Sequence, residues 1–294
     1  MVNALLRTMK SAAIISKPAK PELATILPEL LAWFHQREYK LYLDEETAEY
    51  TDGQGEEVVP RNQLGLRKPD FALVLGGDGT LLSAARAVAH ENVPILAVNL
   101  GSLGFLTEVP LGEMYSTLEA VDAGLCPTEP RSVLDCTAFR GNQPIARHFA
   151  LNDVVVNKSA ISRLVDFDLL IDGAFVFSYK ADGVIIATPT GSTAYSLAAG
   201  GPVMMPSVQS FLVTPVCPHA LTHRPLVVRD NAQIELRVET GAEEAFLSID
   251  GQVGVPMRQG DRVLCQRAAH TVKLMRMRRT FFDVLRNKLK WGQR

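Results

Sequence analysis

Apolar and polar residues alternate along this chain in two different rhythms. Up to about residue 125, short unbroken apolar runs trade places with stretches of helical period. Residues 11–16 (SAAIIS) read as a buried strand. Residues 21–39 then carry Leu23, Ile26, Leu27, Leu30, Leu31 and Phe34 on one stripe at the 3.6-residue spacing of a helix. Residues 40–44 and 71–75 are further strand candidates, the second running into glycines and a helix over 80–90. Residues 94–99 follow, again ending in a glycine-rich loop. Apolar strands without alternation, separated by helices, predict a parallel sheet covered on both faces. The polar stretch 52–60 reads as a surface loop. From about residue 131 the period becomes two, over 131–140, 148–157, 164–171, 175–180, 233–239 and 262–267. Asp172-Gly173, Asp182-Gly183 and Asp250-Gly251 punctuate these runs and read as hairpin turns, because Asp-Gly tolerates positive φ at both central positions. This half is predicted to be mostly antiparallel sheet. Residues 280–291 return to helical spacing.

The expected architecture is therefore an α/β N-terminal domain with a parallel sheet, followed by a mostly antiparallel all-β C-terminal domain. The boundaries are 1–127 and 128–278, with a C-terminal helix (279–294) that packs back on the first domain. Of the 294 residues, 30 are Lys or Arg and 32 are Asp or Glu, a formal net charge of -2. That balance lacks the basic surplus of a nucleic-acid binder. No apolar run approaches the ~20 residues that span a bilayer, and the first sixteen residues lack a leader's apolar core. Four scattered cysteines without a C-x-x-C pair suit a reducing compartment, and a cytoplasmic enzyme is the expectation.

The sharpest chemical signal is Gly76-Gly77-Asp78-Gly79, between an apolar strand and a helix. Glycines let backbone approach a ligand, and a helix N-terminus supplies unpaired N–H groups that favour anions. No Gly-Lys-Ser/Thr follows, so this is not a Walker A loop. Leu82 occupies the third position of a G-x-G-x-x-G fingerprint, so it is not that motif either. A carboxylate among phosphate-cradling amides needs its own task. Asp78 can accept a proton from a hydroxyl nucleophile or interact with a divalent cation, both tasks of a phosphotransferase. The structural alternative is a helix cap. A second loop, 99–104 (NLGSLG), should lie beside the first at the C-terminal edge of the sheet. A third segment, 188–197 (TPTGSTAYSL), looks like a capped helix start with exposed amides, suited to a nucleotide base or ribose. Asn152-Asp153 suits a base edge or ribose diol, although its place before an apolar run reads first as a turn. Asp166 and Asp168 alternate with apolar residues and belong to a solvated strand face. Cys217, His219 and His223 lack a fourth zinc ligand, and prolines break the helix that would align them.

These segments together resemble the NAD kinases of bacterial type. The resemblance runs from about residue 12 to the end. It rests on GGDGTLL (76–82), NLGSLGFL (99–106), LNDVVV (151–156), DGVIIATPTGSTAYSLAAGGP (182–202) and SIDGQ (248–252). GGDGT alone is shared with lipid kinases and phosphofructokinases; its combination with TPTGSTAYSL is specific. The resemblance implies transfer of the ATP γ-phosphoryl group to the 2′-hydroxyl of the adenosine ribose of NAD, giving NADP. It implies Mg²⁺ or another divalent metal cation on the phosphates. Asp78 would be the proton acceptor, in a phosphate loop of Gly76, Gly77 and Gly79. NAD would be held by Asp78, Gly79, Asn152, Asp153, Arg163, Lys180, Asp182, Thr193, Ala194, Tyr195, Ser196, Leu197, Ala198 and Gln252. The family also implies a homodimer or homotetramer in which neighbours help complete the site. One departure is Asp153, where many members carry Glu; the charge is kept on an arm one methylene shorter. Rival readings are a GGDGT-type lipid kinase, a non-catalytic NAD(P)-binding sensor, and a sugar-phosphate kinase. The first lacks an evident apolar acceptor pocket, the second has no use for Asp78, and the third lacks a basic cluster.

Overall fold

The computed structural model describes residues 9–51, 53, 55–158, 164–239, 245–276 and 279–291. The chain forms two compact units, Met1–Pro130 with Val272–Arg294, and Arg131–Thr271. The first unit runs β1 (Ser11–Ser16), α1 (Leu23–His35), β2 (Lys40–Leu43), α2 (Glu45–Ala48), β3 (Glu57–Val58), β4 (Phe71–Gly76), α3 (Asp78–Val88), β5 (Ile95–Asn99), β6 (Val109–Pro110), α4 (Met114–Asp122) and β7 (Thr128–Arg131). In the second unit, β8 (Leu134–Arg140), β9 (Gln143–Ala150), β10 (Asp153–Lys158), β11 (Val165–Ile171), β12 (Ala174–Ala181) and β13 (Gly183–Ala187) come first. A four-residue helix α5 (Tyr195–Ala198) separates these from β14 (Ser210–Val216), β15 (Leu226–Arg229), β16 (Ile234–Val238), β17 (Ala245–Ile249), β18 (Val253–Met257) and β19 (Asp261–Arg267). The chain then rejoins the first unit as β20 (Val272–Met275) and α6 (Phe281–Leu289).

The first sheet has the order β3-β2-β1-β4-β5-β20-β7, with β6 beside β5. β1, β2, β4 and β5 are mutually parallel. Every residue of β4 and β5 is buried, which is why their sequences are continuously apolar. α1 buries Leu23, Leu27, Leu30, Leu31 and Phe34 against one face, in a cluster that includes Met114 and Leu118 of α4. Those contacts, at roughly 1.5–3 kcal/mol for each large side chain, hold a 13-residue helix that would be marginal alone. α3 lies against β1, β4 and β5. The polar stretch 52–60 is more than a loop: Glu57–Val58 pairs with β2 as an edge strand, and Val59 is buried. α6 starts at a capping box in which Thr280 and Asp283 satisfy each other's backbone N–H groups. Just before it, the Arg276 guanidinium pairs with Glu108 and Glu129, and the Arg279 guanidinium donates to the Glu108 carbonyl at 3.1 Å. The Lys288 ammonium lies 6.0 Å from the Phe105 ring.

The second unit is a sandwich of two six-stranded antiparallel sheets, β15-β14-β13-β10-β17-β18 and β12-β11-β16-β19-β8-β9. Their inner faces share one core, including Val154, Val156, Ile186 and Leu247 from the first and Phe167, Leu169, Leu236 and Val263 from the second. The second sheet keeps a solvated face, so β11 alternates, with Asp166 and Asp168 half-exposed between buried Val165, Phe167 and Leu169. The first is covered on its other face too, where Val155, Ile185, Ala187 and Leu212 pack with Met204; hence the unbroken VVV and VII runs.

Two expectations need correction. Asp182-Gly183 is not a hairpin turn: β12 and β13 lie in different sheets, and here the chain passes from one to the other. Gly183 is required by close packing instead, since a Cβ there would stand 2.2 Å from the Asn157 amide oxygen and 2.6 Å from the Val156 carbonyl. The run 148–157 is not one strand but the end of β9 and most of β10, broken at Leu151-Asn152. Asp172-Gly173 and Asp250-Gly251 do turn hairpins, each with both residues at positive φ.

Candidate active site

The strand order of the first sheet reverses between β1 and β4: β2 and β3 lie beyond β1, and β5 beyond β4. Such a switch point opens a crevice at the C-terminal strand ends, the place where α/β sheets bind ligands. The Lys17 N–H pairs with the Leu75 carbonyl at 2.8 Å, immediately before Gly76-Gly77-Asp78 leaves β4. Gly77 is the N-cap of α3 and offers no side-chain cap, so Asp78 is the helix's first residue rather than its cap.

The loop after β5 folds onto that carboxylate. Oδ1 of Asp78 accepts from the Leu106 N–H at 3.1 Å, the Thr107 N–H at 3.0 Å and the Thr107 hydroxyl at 3.0 Å. Oδ2 accepts from the Phe105 N–H at 2.8 Å. The Thr107 hydroxyl in turn accepts from the Asn99 amide at 2.7 Å, which also donates to the Ser102 carbonyl at 2.8 Å. A carboxylate has about four acceptor sites. Oδ1 is thus filled, and Oδ2 keeps one lone pair for another donor. Residues 99–104 lie beside the glycine turn as their place after β5 implied. The donors themselves, 105–107, were missed: backbone N–H groups leave no signature in the sequence.

The second unit holds a pocket of ≈ 300 Å³ lined by residues that include Asn152, Asp153, Asn157, Tyr195, Ser248 and Asp250. It is built by strand alternation. Asp153, Val155 and Asn157 face outward from β10, with Ser248 opposite Val155 on β17. Asp250 opens the β17–β18 turn, and its carboxylate accepts from the N–H groups of Leu151 (3.1 Å), Asn152 (2.8 Å) and Asp153 (3.1 Å). The Asp250 N–H donates back to the Asp153 carbonyl at 2.9 Å. Burial and the Asp250 charge push the Asp153 carboxyl up to about 7, against a backbone hydrogen bond from Tyr195.

The 188–198 segment differs from a capped helix start. It is a 3₁₀ turn over Thr190–Thr193 followed by the short α5. Most of its hydroxyls serve the protein itself. Thr188 donates to the Leu151 carbonyl at 2.5 Å, Ser192 to the Pro189 carbonyl at 2.7 Å, and Ser196 shares a 2.9 Å bond with Thr214. These bonds seat the segment against Leu151-Asn152 and present Ala194 and Tyr195 to the pocket. Thr193 and Leu197 are half-buried beside them, Ala198 is exposed, and Ser196 is fully buried. Gln252 is exposed in the turn after Gly251. Lys180 and Asp182 do not line this pocket. Register pairs Asp153 with Ala187 and Asn157 with Gly183, so Asp182 adjoins the far end of β10, where Lys158 pairs with it at 2.8 Å. Arg163 lies outside the described residues. His223 packs on the rings of Phe177 and Tyr179, at 5.2 and 4.9 Å. Asp250 escaped sequence reasoning because Asp-Gly announces a turn, and the turn masked its second task.

Known proteins are similar to this chain over nearly its whole length. Residues 12–125 match the ATP-NAD kinase N-terminal domain, and residues 151–277 the ATP-NAD kinase C-terminal domain. An NAD kinase of Koribacter versatilis is 60% identical over 287 residues, covering 97% of this chain and 100% of the relative. An NAD kinase of Acidobacterium capsulatum is 52% identical with the same coverage. Among solved structures, a yeast NADH kinase complexed with NADH superposes with a TM-score of 0.87 at 25% identity, covering 98% of this chain and 89% of that one. An NAD kinase from Archaeoglobus fulgidus in complex with ATP shares the fold, with a TM-score of 0.72 at 24% identity over 95% of this chain and 97% of its own. Both domains match in order and the likeness to bacterial relatives covers nearly the whole chain, so this chain belongs to the ATP-NAD kinase family.

Proposed function

We propose that Asp78 is the proton acceptor as this NAD kinase transfers the γ-phosphoryl group of ATP to the 2′-hydroxyl of the adenosine ribose of NAD. The ribose oxygen forms a bond to the γ-phosphorus, the bond from that phosphorus to the β–γ bridging oxygen breaks, and ADP leaves with NADP as product. The hydroxyl proton passes to Asp78 Oδ2, the carboxylate oxygen that keeps an open lone pair. That lone pair is the observation carrying the assignment: three donors fix Oδ1, one orients Oδ2, and the remaining acceptor site awaits a hydroxyl. Positioning of this kind, with charge stabilisation, supplies most of the catalysis in phosphoryl transfer. The backbone of Gly76, Gly77 and Gly79 at the start of α3 would receive phosphate oxygens.

The donor set argues against a protein cage for a divalent cation. Among the described residues no three His, Cys, Asp or Glu side chains gather, and Asp78 is committed to the 105–107 loop. A Mg²⁺ ion would come with ATP, as part of that substrate. Asn152 and Asp153 would hold NAD from the second unit's pocket, with the backbone of Ala194 and Tyr195 alongside. Lys180 and Asp182 lie beyond this pocket, which supports the reading that they serve a neighbouring copy in a homodimer or homotetramer. Among the described residues no helix is long and apolar enough to cross a membrane; the cytoplasm, which supplies NAD and ATP, is the compartment we infer.

The test is NADP formation from NAD, ATP and Mg²⁺ by the wild type and by Asp78→Asn. The variant keeps NAD affinity within a few-fold and loses about 10²–10⁴-fold in turnover, the range for a general base. A variant that turns over at the wild-type rate ends the assignment.

A further inference from the structure

Two thiols meet in the core of the second unit. Strand alternation turns Leu134, Cys136 and Ala138 of β8, with Val263 and Cys265 of β19, into that core. The register of this antiparallel pair sets Cys136 directly opposite Cys265. Directly opposed residues of antiparallel strands have Cα atoms about 4.5 or 5.5 Å apart, depending on which kind of pair they form. A disulfide spans Cα separations of about 4.4–6.8 Å, so either kind of pair can close with the register kept. The Cys265 thiol already hydrogen-bonds to Cys136, which brings sulfur to sulfur. The other two thiols are placed differently: Cys126 donates to the Arg276 carbonyl at 3.6 Å, and Cys217 is exposed.

Cys136 is 1% exposed and Cys265 0%, which shuts out bulky reagents. Cys136 is nonetheless one strand from the margin of its sheet. β9 is the edge strand, and its half-buried His148 stands opposite Cys136 in register. Local openings of a fold begin at such margins, and an oxidant little larger than water needs only a small one.

We propose that Cys136 and Cys265 form a redox site: a dithiol that hydrogen peroxide converts to a cross-strand disulfide and that thiol reductants restore. The proposal stands apart from the NAD kinase reading. The Cys136 sulfur, as the thiolate, attacks a peroxide oxygen; the O–O bond breaks, and the departing hydroxide takes up the thiol proton as water. The Cys265 sulfur then attacks the Cys136 sulfenic acid; the S–S bond forms, the S–O bond breaks, and a second water leaves with the Cys265 proton. Each sulfur gives up one electron and the peroxide gains two. Transient disulfides of this kind serve redox sensing in reducing compartments. The bond would tie residue 136 to residue 265, at the two ends of the run from β8 to β19 that makes the sandwich. Closing so long a loop restricts the unfolded chain and raises stability.

The experiment first caps native protein with iodoacetamide, which takes Cys217 and the half-buried Cys126. The protein is treated with hydrogen peroxide, then catalase, denatured in N-ethylmaleimide, cut with trypsin without reductant, and weighed by mass spectrometry. The expected product is peptide 132–140 joined to peptide 263–267, two hydrogens lighter than their sum and parted by dithiothreitol. The oxidised protein should melt several degrees above the reduced one, and the difference should vanish with dithiothreitol and in Cys265→Ala. Because the linked peptide is sought in the wild type, a variant that folds poorly leaves the test intact. Three outcomes overturn the proposal: links through Cys126 or Cys217 alone, a sulfinic acid on Cys136 with no link, or maleimide on both core thiols at a peroxide dose that oxidises Cys217 in uncapped protein.

Discussion

Gly104→Ala is the substitution that most directly tests how Asp78 is held. Gly104 is not at positive φ, so alanine meets no backbone penalty there. The difficulty is room: the added Cβ would stand 2.0 Å from Asp78 Oδ1 and 2.3 Å from the Thr107 hydroxyl. Real contacts of this kind do not fall below 3.0 Å. The carboxylate or the loop must therefore yield by about 1 Å, and a misplacement of that size costs about 10²-fold in rate. A hundredfold loss corresponds to about 2.7 kcal/mol of activation free energy. The same shift weakens the hydrogen bonds that Leu106 and Thr107 give to Oδ1, at about 1–3 kcal/mol of stability. Steady-state NADP formation measures the first effect and thermal unfolding the second. The expected result is kcat reduced about 10²-fold, KM for NAD changed only a few-fold, and Tm lowered by several degrees. A folded Gly104→Ala enzyme with kcat within threefold of wild type would refute the reasoning, because it would mean that the 105–107 loop does not set where the base sits.

Two further outcomes are expected. Gly77→Ala adds a Cβ that meets no protein atom within 4 Å, at φ -106 and ψ -171. Its stability stays at the wild-type level while KM for ATP rises; an unchanged KM would remove this backbone from phosphate binding. Asp153 in the folded protein holds its proton up to about 7, whereas the unfolded chain releases it near 3.8. Between those limits the folded state binds more protons, so this group's contribution to stability falls as pH rises, by no more than about 1.4 kcal/mol per unit. Asp153→Asn should accordingly gain stability over the wild type at pH 8 relative to pH 5 in urea unfolding, and an equal difference at both pH values would contradict it.

The chemistry of the two halves was legible to different depths. Gly76-Gly77-Asp78 announced a glycine turn from strand to helix because composition and the change of period are local facts. The period-two runs announced an antiparallel domain for the same reason, and α1 fell where its apolar stripe placed it. Where the reading failed, a distant partner had intervened. The run 148–157 alternates well enough for one strand, yet Asp250 captures the N–H groups of residues 151–153 and breaks it. Asp182-Gly183 has the composition of a hairpin, but the close approach of residues 156–157 requires the glycine for a different purpose. The hydroxyls of 188–196 looked ready for a ligand, and Leu151, Pro189, Thr190 and Thr214 absorb most of them.

The cysteines show the same division. Their spacing places Cys136 and Cys265 far apart in the chain, and both read as unpaired thiols. They are free thiols, yet β8 and β19 set them directly opposite each other in the core, where a hydrogen bond to Cys136, burial and nearby charge push the Cys265 thiol up. By itself the sequence determined α1, α3, α6, the apolar strands β1, β2, β4 and β5, the two rhythms and the glycine turn that carries Asp78, all consequences of side-chain periodicity and glycine content within a few residues. Only the tertiary structure decided which oxygen of Asp78 stays open and which carboxylate clamps the Asn152-Asp153 turn. Both depend on backbone N–H groups, which every residue type but proline carries and no sequence pattern reveals, delivered from 27–29 residues away in one case and 97–99 in the other.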